Sequence, residues 1–157
     1  MKTEITGSEV VLAWGVTSGI GWIATIFLTG ITQILAAWTA LMAVPIGMTA
    51  YLYMDGRSNR LLNMWSVLVS AVMVQNYIVP LRYGIYSYLY LWIIAGLAGY
   101  IYTYRRLPPP SQSYYRYAAY LSAASLPLIA FDYRLTPVIG VIAQGLPMIH
   151  DYRKVHM

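Results

Sequence analysis

The sequence predicts an all-α integral membrane protein, a helical bundle of six transmembrane helices arranged as three hairpins. Hydrophobic residues make up 59% of the 157 residues and charged residues 10%, against roughly 45–50% and about 25% in soluble domains. The apolar residues form runs long enough to cross a bilayer, and most cations lie in the segments that separate these runs. We therefore expect residues 1–157 to form a single membrane-embedded helical domain.

Four apolar runs have the length of a membrane-spanning helix. A hydrocarbon core about 30 Å thick is crossed by roughly 20 helical residues, and residues 10–28, 34–54, 61–80 and 83–104 meet this requirement. The segment ahead of the first run has no small-x-small cleavage pattern, so we expect this run to be retained. These runs supply the first four predicted spans.

Small residues mark the predicted packing faces of the first and fourth runs. Gly15 and Gly19 are four positions apart, and Ala95, Gly96 and Gly99 form a second patch of small residues. Such spacing lets membrane helices approach closely where no hydrophobic force draws them together. We expect these five residues to lie at helix–helix contacts.

Tyrosines concentrate at both ends of the fourth run. At one end they stand at positions 83, 86, 88 and 90, and at the other end at positions 100, 102 and 104. Amphipathic rings favour the two membrane interfaces, so this pattern predicts aromatic belts. A tyrosine-lined ligand cleft is the alternative that the sequence leaves open.

The C-terminal segment contains two short apolar stretches around Asp132-Tyr133-Arg134. As one helix, residues 117–149 would be about 50 Å long and would bury Asp132 and Arg134 inside the membrane, at a high cost in free energy. A split at 132–136 instead places both charges in a turn. Each half then has only about fifteen apolar residues, below the ~17–25 of a typical span. A five-helix fold without the split is therefore the alternative.

Charge supports the split and predicts the orientation. With six spans, eight cations face one side and two face the other, and the positive-inside rule assigns the richer side to the cytoplasm. Without the split the contrast falls to six against four. We therefore predict a multi-pass protein of the plasma membrane with both termini cytoplasmic. The inner group is Lys2, Arg57, Arg60, Arg105, Arg106, Arg116, Arg153 and Lys154, and the outer group is Arg82 and Arg134.

The sequence offers little for catalysis. The chain has no cysteine and five acidic residues, each near a predicted helix end, so no carboxylate is buried where a coupled carrier would need one. No nucleophile with a base and no pair of haem ligands is assembled, and we predict no catalytic residue, cofactor or metal. His150, Asp151 and His156 form the one candidate metal cluster, but a solvated tail is the favoured interpretation of these residues.

The loop Asp55-Gly56-Arg57-Ser58-Asn59-Arg60 resembles the Asp-Gly-x-x-Ala-Arg opening of the CDP-alcohol phosphotransferase motif. In that family the resemblance would imply a two-metal site. Here Asn59 replaces the alanine and no acidic pair follows downstream, so the two-metal site cannot be assembled. We interpret the hexapeptide as a polar turn between the second and third spans.

The remaining candidate site is an outer polar vestibule. The six-span topology brings the tripeptide at Asp132 to the same face as the end of the third run and the start of the fourth. Guanidinium groups would bind an anionic or polar head group there, with Asp132 holding one arginine in place. The structural alternative, which the sequence favours, is an Asp–Arg pair that fixes the hairpin turn. The predicted ligand-binding residues are Asp132, Tyr133, Arg134, Arg82, Gln75 and Asn76.

Two functions from different classes fit these features. The first is a non-catalytic subunit or binding module that packs against partner transmembrane helices, from other chains or a second copy, and holds lipid or a hydrophobic ligand. The second is a small transporter or channel component with a path from the vestibule through Asn63, Gln75 and Gln144. A membrane enzyme acting on lipid is a weaker third. Membrane orientation explains the basic charge, so we expect the lipid bilayer as a partner and no nucleic acid.

Overall fold

The computed structural model describes residues 5–109 and 111–156, with side chains through Tyr152. Helices and short turns make up nearly all of this part of the chain, which contains no strand. The first helices are α1 (Gly7–Phe27), α2 (Ile31–Met54), α3 (Arg60–Asn76), α4 (Val79–Tyr83), α5 (Ile85–Tyr104) and α6 (Ser111–Phe131). A 3₁₀ turn (Tyr133–Leu135) leads into three segments that follow without interruption, α7 (Thr136–Gly140), a π-helical turn (Val141–Gly145) and α8 (Leu146–His156). We call residues 136–156 the C-terminal helix.

Four helical segments are long and apolar enough to cross a membrane. They correspond to the four apolar runs that the sequence predicts as spans, and α3 and α4 together make up the third. An all-helical chain with transmembrane helices is the fold of an integral membrane protein, as the composition indicates. The four segments are Gly7–Phe27, Ile31–Met54, Arg60–Tyr83 and Ile85–Tyr104.

Polar side chains cap the N-termini of two of these helices, α1 and α3. At α1, the Thr6 hydroxyl accepts a hydrogen bond from the Glu9 backbone N–H (3.4 Å), and the Glu9 carboxylate accepts one from the Thr6 N–H (2.7 Å). At α3, Asn59 Oδ1 accepts hydrogen bonds from the N–H groups of Leu61 and Leu62 (3.0 and 2.9 Å). Asn59, which departs from the phosphotransferase motif, thus serves as a helix cap.

The helices form a closed ring in which each is antiparallel to its neighbour. Around the ring α1 packs on α2, α2 on α3, α3 on α5, α5 on α6, α6 on the C-terminal helix, and the C-terminal helix on α1. We call the end with the α1–α2 turn at 28–30 the upper end, and the end with the loop at 55–59 the lower end. The upper end also holds α4 and the 3₁₀ turn, whereas the loop at 105–109 lies at the lower end.

Aromatic side chains fill the middle of the bundle. Trp38 packs edge-on against Trp22, with ring centroids 5.3 Å apart, and its ring centroid lies 4.3 Å from that of Trp92. Tyr88 and Tyr100 are 0% and 1% exposed and also lie inside the bundle. The prediction that these two tyrosines belong to interfacial belts is therefore wrong, because their rings pack on tryptophans of neighbouring helices.

The chain reverses direction at Asp132, between α6 and the 3₁₀ turn. Asp132 has an extended backbone (φ −150°, ψ 94°).

At the lower end, the Asp151 carboxylate accepts hydrogen bonds from the hydroxyls of Ser111 (2.5 Å) and Tyr115 (3.1 Å), which joins the C-terminal helix to α6. The His150 ring also packs on α6, 4.5 Å from a tyrosine ring. These contacts correct the expectation that His150 and Asp151 lie in a solvated tail.

The π-helical turn Val141–Gly145 widens the C-terminal helix in the middle of the bundle. Pro147 follows shortly after, and proline has no N–H for the carbonyl four residues earlier, which its ring also crowds. The Leu146 N–H bonds to the Val141 carbonyl, five residues back. This wider turn carries Gln144, which is buried in the interior.

Candidate functional site

A cavity of about 660 Å³, which we call the upper cavity, opens at the upper end of the bundle. It is formed where the last turn of α1, the first turn of α2, the start of α5 and the start of the C-terminal helix meet. Its walls are mostly aliphatic. The lining residues are Thr25, Ile26, Leu28, Thr29, Ile31, Ile34, Ile85, Leu89, Tyr133, Arg134 and Pro137.

Polar groups interrupt the aliphatic walls at four positions. Among the described residues that line the cavity, Arg134 is the one charged side chain. Thr25 is held in place because its hydroxyl donates to the Gly21 carbonyl (2.8 Å) and accepts from Trp38 Nε1 (3.0 Å). This second bond connects the cavity wall to the aromatic core. The four polar residues are Thr25, Thr29, Tyr133 and Arg134.

Two of the six predicted ligand-binding residues, Tyr133 and Arg134, line the upper cavity. The Tyr133 ring packs edge-on against Tyr86 of α5, at 5.2 Å. Asp132 beside them is exposed, and its carboxylate accepts a hydrogen bond from the Arg134 backbone N–H (3.1 Å). The side chains of Asp132 and Arg134 are both described, and they form no ion pair with each other. Asp132 therefore stabilises the turn by capping it and not by pairing with the arginine.

The other three predicted residues lie at the upper end but do not line the cavity. Arg82 is exposed, with its guanidinium 5.5 Å from the centroid of the Tyr83 ring. Gln75 faces outward, whereas Asn76 is buried, and its Oδ1 has no hydrogen-bond partner among the described residues. These residues belong to α3 and α4, which pack chiefly on α2 and α5. They therefore do not line the upper cavity together with Arg134.

The two predicted packing glycines of α1 lie against the C-terminal helix. A Cβ added at Gly15 would come within 2.9 Å of the Met148 Cβ, and one added at Gly145 would come within 3.2 Å of the Gly19 Cα. Gly145 was not singled out from the sequence, although it forms the other half of this contact. Close approach at this contact depends on Gly15 of α1 and Gly145 of the C-terminal helix, whereas a Cβ at Gly19 itself would meet no atom within 4 Å.

The three predicted packing residues of α5 lie at a crowded interface. A Cβ at Gly96 would collide with the Gln144 side chain, and a Cβ at Gly99 would collide with the Trp65 indole ring. Ala95 is buried next to them. The small residues of α5 therefore make room for two large side chains of other helices.

Gln144 is the centre of a buried hydrogen-bond network. Its Oε1 accepts from Trp22 Nε1 (2.9 Å), and its Nε2 donates to the Trp92 carbonyl (3.3 Å). The Gln144 backbone carbonyl accepts from the Tyr100 hydroxyl (3.2 Å). One side chain on the π-helical turn thereby binds α1 and α5. In the sequence, the one signal for this widened turn is Pro147, three residues after Gln144.

The polar residues of the predicted transport path do not align. Asn63 lies near the lower end, where its Oδ1 accepts from the Ser58 hydroxyl. Gln75 faces outward at the upper end, and Gln144 is buried between them. The side chains of these three residues are therefore separate features of the bundle.

Among the side chains that the structure describes, no group of three histidine or acidic residues comes together as a metal site. The candidate metal cluster included His156, whose side chain lies outside the described part. Comparisons of the chain with protein-family models, with curated proteins and with solved structures found no match. Function must therefore be inferred from the geometry and chemistry of the cavity and the buried network.

Proposed function

We propose that six helical segments cross the plasma membrane, with the upper end outside and both chain ends in the cytoplasm. These segments are α1, α2, α3 together with α4, α5, α6 and the C-terminal helix. The helix α6 has 21 residues, about 31 Å at 1.5 Å per residue, which is close to one hydrocarbon thickness. Arginines gather at the lower end, in the loops at 55–59 and 105–109 and near the starts of α3 and α6. The positive-inside rule then favours the cytoplasm for that end.

We propose that the protein is a small, non-catalytic membrane binding module that holds a lipid or another amphipathic molecule in the upper cavity. The observation that carries this proposal is the cavity itself, with its volume of about 660 Å³ and its aliphatic walls. Ligand pockets typically measure roughly 300–1,000 Å³ and combine apolar walls with a few polar groups. The apolar part of the ligand would lie against α1, α2 and α5, and an anionic or polar head would meet Arg134.

A small transporter or channel component with the same vestibule, around Asp132 and Arg134, is the second candidate. The exposure of Arg134 beside a cavity that opens at one end favours it. Transport also requires a path to the lower end. The buried rings of Trp22, Trp38 and Trp92 pack together beneath the cavity, and this packing favours binding over passage.

We also propose that the module associates with partner transmembrane helices through α2, from another chain or a second copy. The outward face of α2 carries small residues at intervals of three and four positions, the spacing that allows close helix approach in membranes. No residue of this row has a bulky side chain that would prevent close contact with a partner helix. The row consists of Ala36, Ala40, Ala43, Gly47 and Ala50, all exposed.

The binding proposal is tested by photo-crosslinking in lipid nanodiscs with a fatty acid that carries a diazirine in its chain. We expect labelled peptides from the ends of α1, α2 and α5 that line the cavity. Replacing Ile85, a lining residue, by tryptophan should fill the space and reduce labelling at least fivefold. The matched control is Ile94→Trp, on the outward face of the same helix, which should leave the cavity labelling unchanged.

Equal labelling of wild type and Ile85→Trp at the cavity peptides would contradict the proposed site. The transport candidate is tested separately, by loading liposomes that contain the purified protein and following the flux of small inorganic anions. Flux that depends on Arg134 and exceeds that of empty liposomes would replace binding by transport as the function. Absence of flux together with Ile85-dependent labelling is the expected result.

A further inference from the structure

A second, much smaller cavity lies on the axis of the bundle; we call it the central cavity. Its volume is about 20 Å³, and one water molecule needs a space of roughly 10–15 Å³. Helices α1, α2, α3, α5 and the C-terminal helix all contribute to its walls. The space is thus separate from the upper cavity and too small for any ligand larger than one or two heavy atoms.

Two tryptophans that line this cavity have indole N–H groups without an acceptor. Trp14 and Trp92 are 2% and 4% exposed, and neither Nε1 has a hydrogen-bond partner among the described residues. An indole N–H is a donor only, and a buried donor left unpaired costs free energy. Both residues line the same space, one on α1 and one on α5.

The other three tryptophans show that this bundle normally pairs its indoles. Trp22 donates to Gln144, Trp38 to Thr25 and Trp65 to Thr103, at 2.9 to 3.0 Å. In each case the acceptor side chain belongs to a different helix from the tryptophan. Among the five indole N–H groups, the two without an acceptor therefore both belong to residues that line the central cavity, Trp14 and Trp92.

We propose that the central cavity binds one water molecule, which accepts hydrogen bonds from the indole N–H groups of Trp14 and Trp92. A water oxygen has two lone pairs for these two donors. Ser18, Tyr100 and Gln144, whose side chains contain oxygen atoms, line the same cavity and are the candidate acceptors for the water's own hydrogens. The water joins α1 to α5 at the level of the Gln144 network.

The chemistry of the wall selects water over a small anion of similar size. Two N–H donors would suit a halide, but none of the described residues that line the cavity carries a charge. An anion buried without a cation is strongly disfavoured in free energy. A neutral molecule that both accepts and donates suits this uncharged wall and pairs the two indole N–H groups.

The test uses the full-length protein in lipid nanodiscs, labelled with ¹⁵N at the tryptophan indoles and assigned by single Trp→Phe variants. We expect the indole protons of Trp14 and Trp92 to show nuclear Overhauser cross-peaks to water. The indole proton of Trp22, which has a protein acceptor and does not line the cavity, should show none. Absence of water cross-peaks from both Trp14 and Trp92 overturns the proposal.

A cavity-filling pair of variants locates the water. Ala95 lines the central cavity, so Ala95→Val should displace the water and remove both cross-peaks together. Ala98→Val, on the outward face of the same helix, should keep both. Persistence of the cross-peaks in folded Ala95→Val would place the water elsewhere and overturn the proposal. If Ala95→Val does not fold, a density map at water-resolving resolution decides, by a peak within about 3.2 Å of both indole nitrogens or none.

Discussion

Hydrogen bonds between buried side chains connect the helices of this bundle at single residues. Trp22 bonds to Gln144 between α1 and the C-terminal helix, and Trp38 bonds to Thr25 between α2 and α1. Inside a membrane there is no hydrophobic force between helices, so polar contacts and close packing determine which faces meet. At the residue scale, stability should therefore depend on a few polar atoms and on the glycines beneath them.

The change Gln144→Leu should lower the free energy of unfolding by about 1–3 kcal/mol. Leucine has a similar volume but accepts no hydrogen bond, so the buried Trp22 N–H loses its partner. Interhelical hydrogen bonds in membranes average about 0.6 kcal/mol, and the stranded donor adds to that loss. The measurement is unfolding by a denaturing detergent in mixed micelles, followed by circular dichroism.

The control for this change is Gln75→Leu, because Gln75 faces outward. Replacing an exposed side chain away from buried networks should change the free energy of unfolding by less than about 0.5 kcal/mol. An equal effect of the two substitutions would mean that the hydrogen bond of Gln144 contributes nothing to stability.

The change Gly99→Ala should destabilise the protein by about 1–3 kcal/mol, since its Cβ would collide with the Trp65 ring. That ring cannot easily move, because its Nε1 donates to Thr103 (2.9 Å). Gly47→Ala is the matched control in an open part of α2, where alanine should be neutral or stabilise the helix by up to about 1 kcal/mol. Both are measured by the same detergent unfolding. Equal stabilities would rule out tight packing at Gly99.

Among the structural elements, the turn at Asp132 is one where two kinds of stabilisation can be compared. One is a cap on a backbone N–H, and the other is an ion pair between Asp132 and Arg134. In the structure Asp132 accepts the backbone N–H of Arg134, and the two side chains form no ion pair. Asp132→Ala should thus cost about 0.5–2 kcal/mol, the range for a lost cap. Asp132→Asn keeps an oxygen acceptor and should stay within about 0.5 kcal/mol of wild type in the same unfolding measurement.

Arg134→Gln distinguishes the cap from an ion pair. Arg134 is exposed, so removing its charge should leave the free energy of unfolding unchanged. Losses of similar size in Asp132→Asn and Arg134→Gln, without further loss in the double variant, would show that the charges pair after all. The same Arg134 variant should reduce crosslinking of the fatty-acid probe at the upper cavity, through its loss of the cation.

The small-residue face of α2 should determine association with a partner helix. Ala43→Leu places a bulky side chain in the middle of this face and should abolish most of the assembled fraction. The measurement is the mass of the particle purified in mild detergent, compared with that of one chain. Val67→Leu, on the outward face of α3, is the control and should leave the mass unchanged. A wild-type particle that contains a single chain would contradict the proposed association.

At the scale of the whole molecule, the number of spans determines on which side the 3₁₀ turn lies. The chain has no cysteine, so a single introduced cysteine reports its own side. With six spans, Leu135→Cys should react with a membrane-impermeant maleimide on intact cells, as should Thr29→Cys at the same end. Pro109→Cys, at the lower end, should react only after the cells are opened. Protection of Leu135→Cys in intact cells would mean that α6 and the C-terminal helix do not cross.

The candidate site could be predicted from the sequence only in part. A break with charged residues after an apolar stretch marks Asp132, Tyr133 and Arg134 as a turn, and two of these residues line the upper cavity. The aliphatic walls come from three other helices whose ends carry no distinctive pattern. The sequence also predicts Arg82 and Gln75 at this end of the bundle, but two residues at the same end need not be in contact.

The helical membrane class and four segments long and apolar enough to cross a membrane were predictable from the sequence alone. Length, apolar composition and the placement of charges are enough for this, because the thickness of the bilayer and the cost of burying a charge act on each segment separately. Which residues face inward, by contrast, depends on how the helices pack against one another. The helices α1, α2 and α5 are apolar on nearly every side, so no amphipathic pattern marks the buried face. Tyr88 and Gln144 became interior residues through their contacts with other helices.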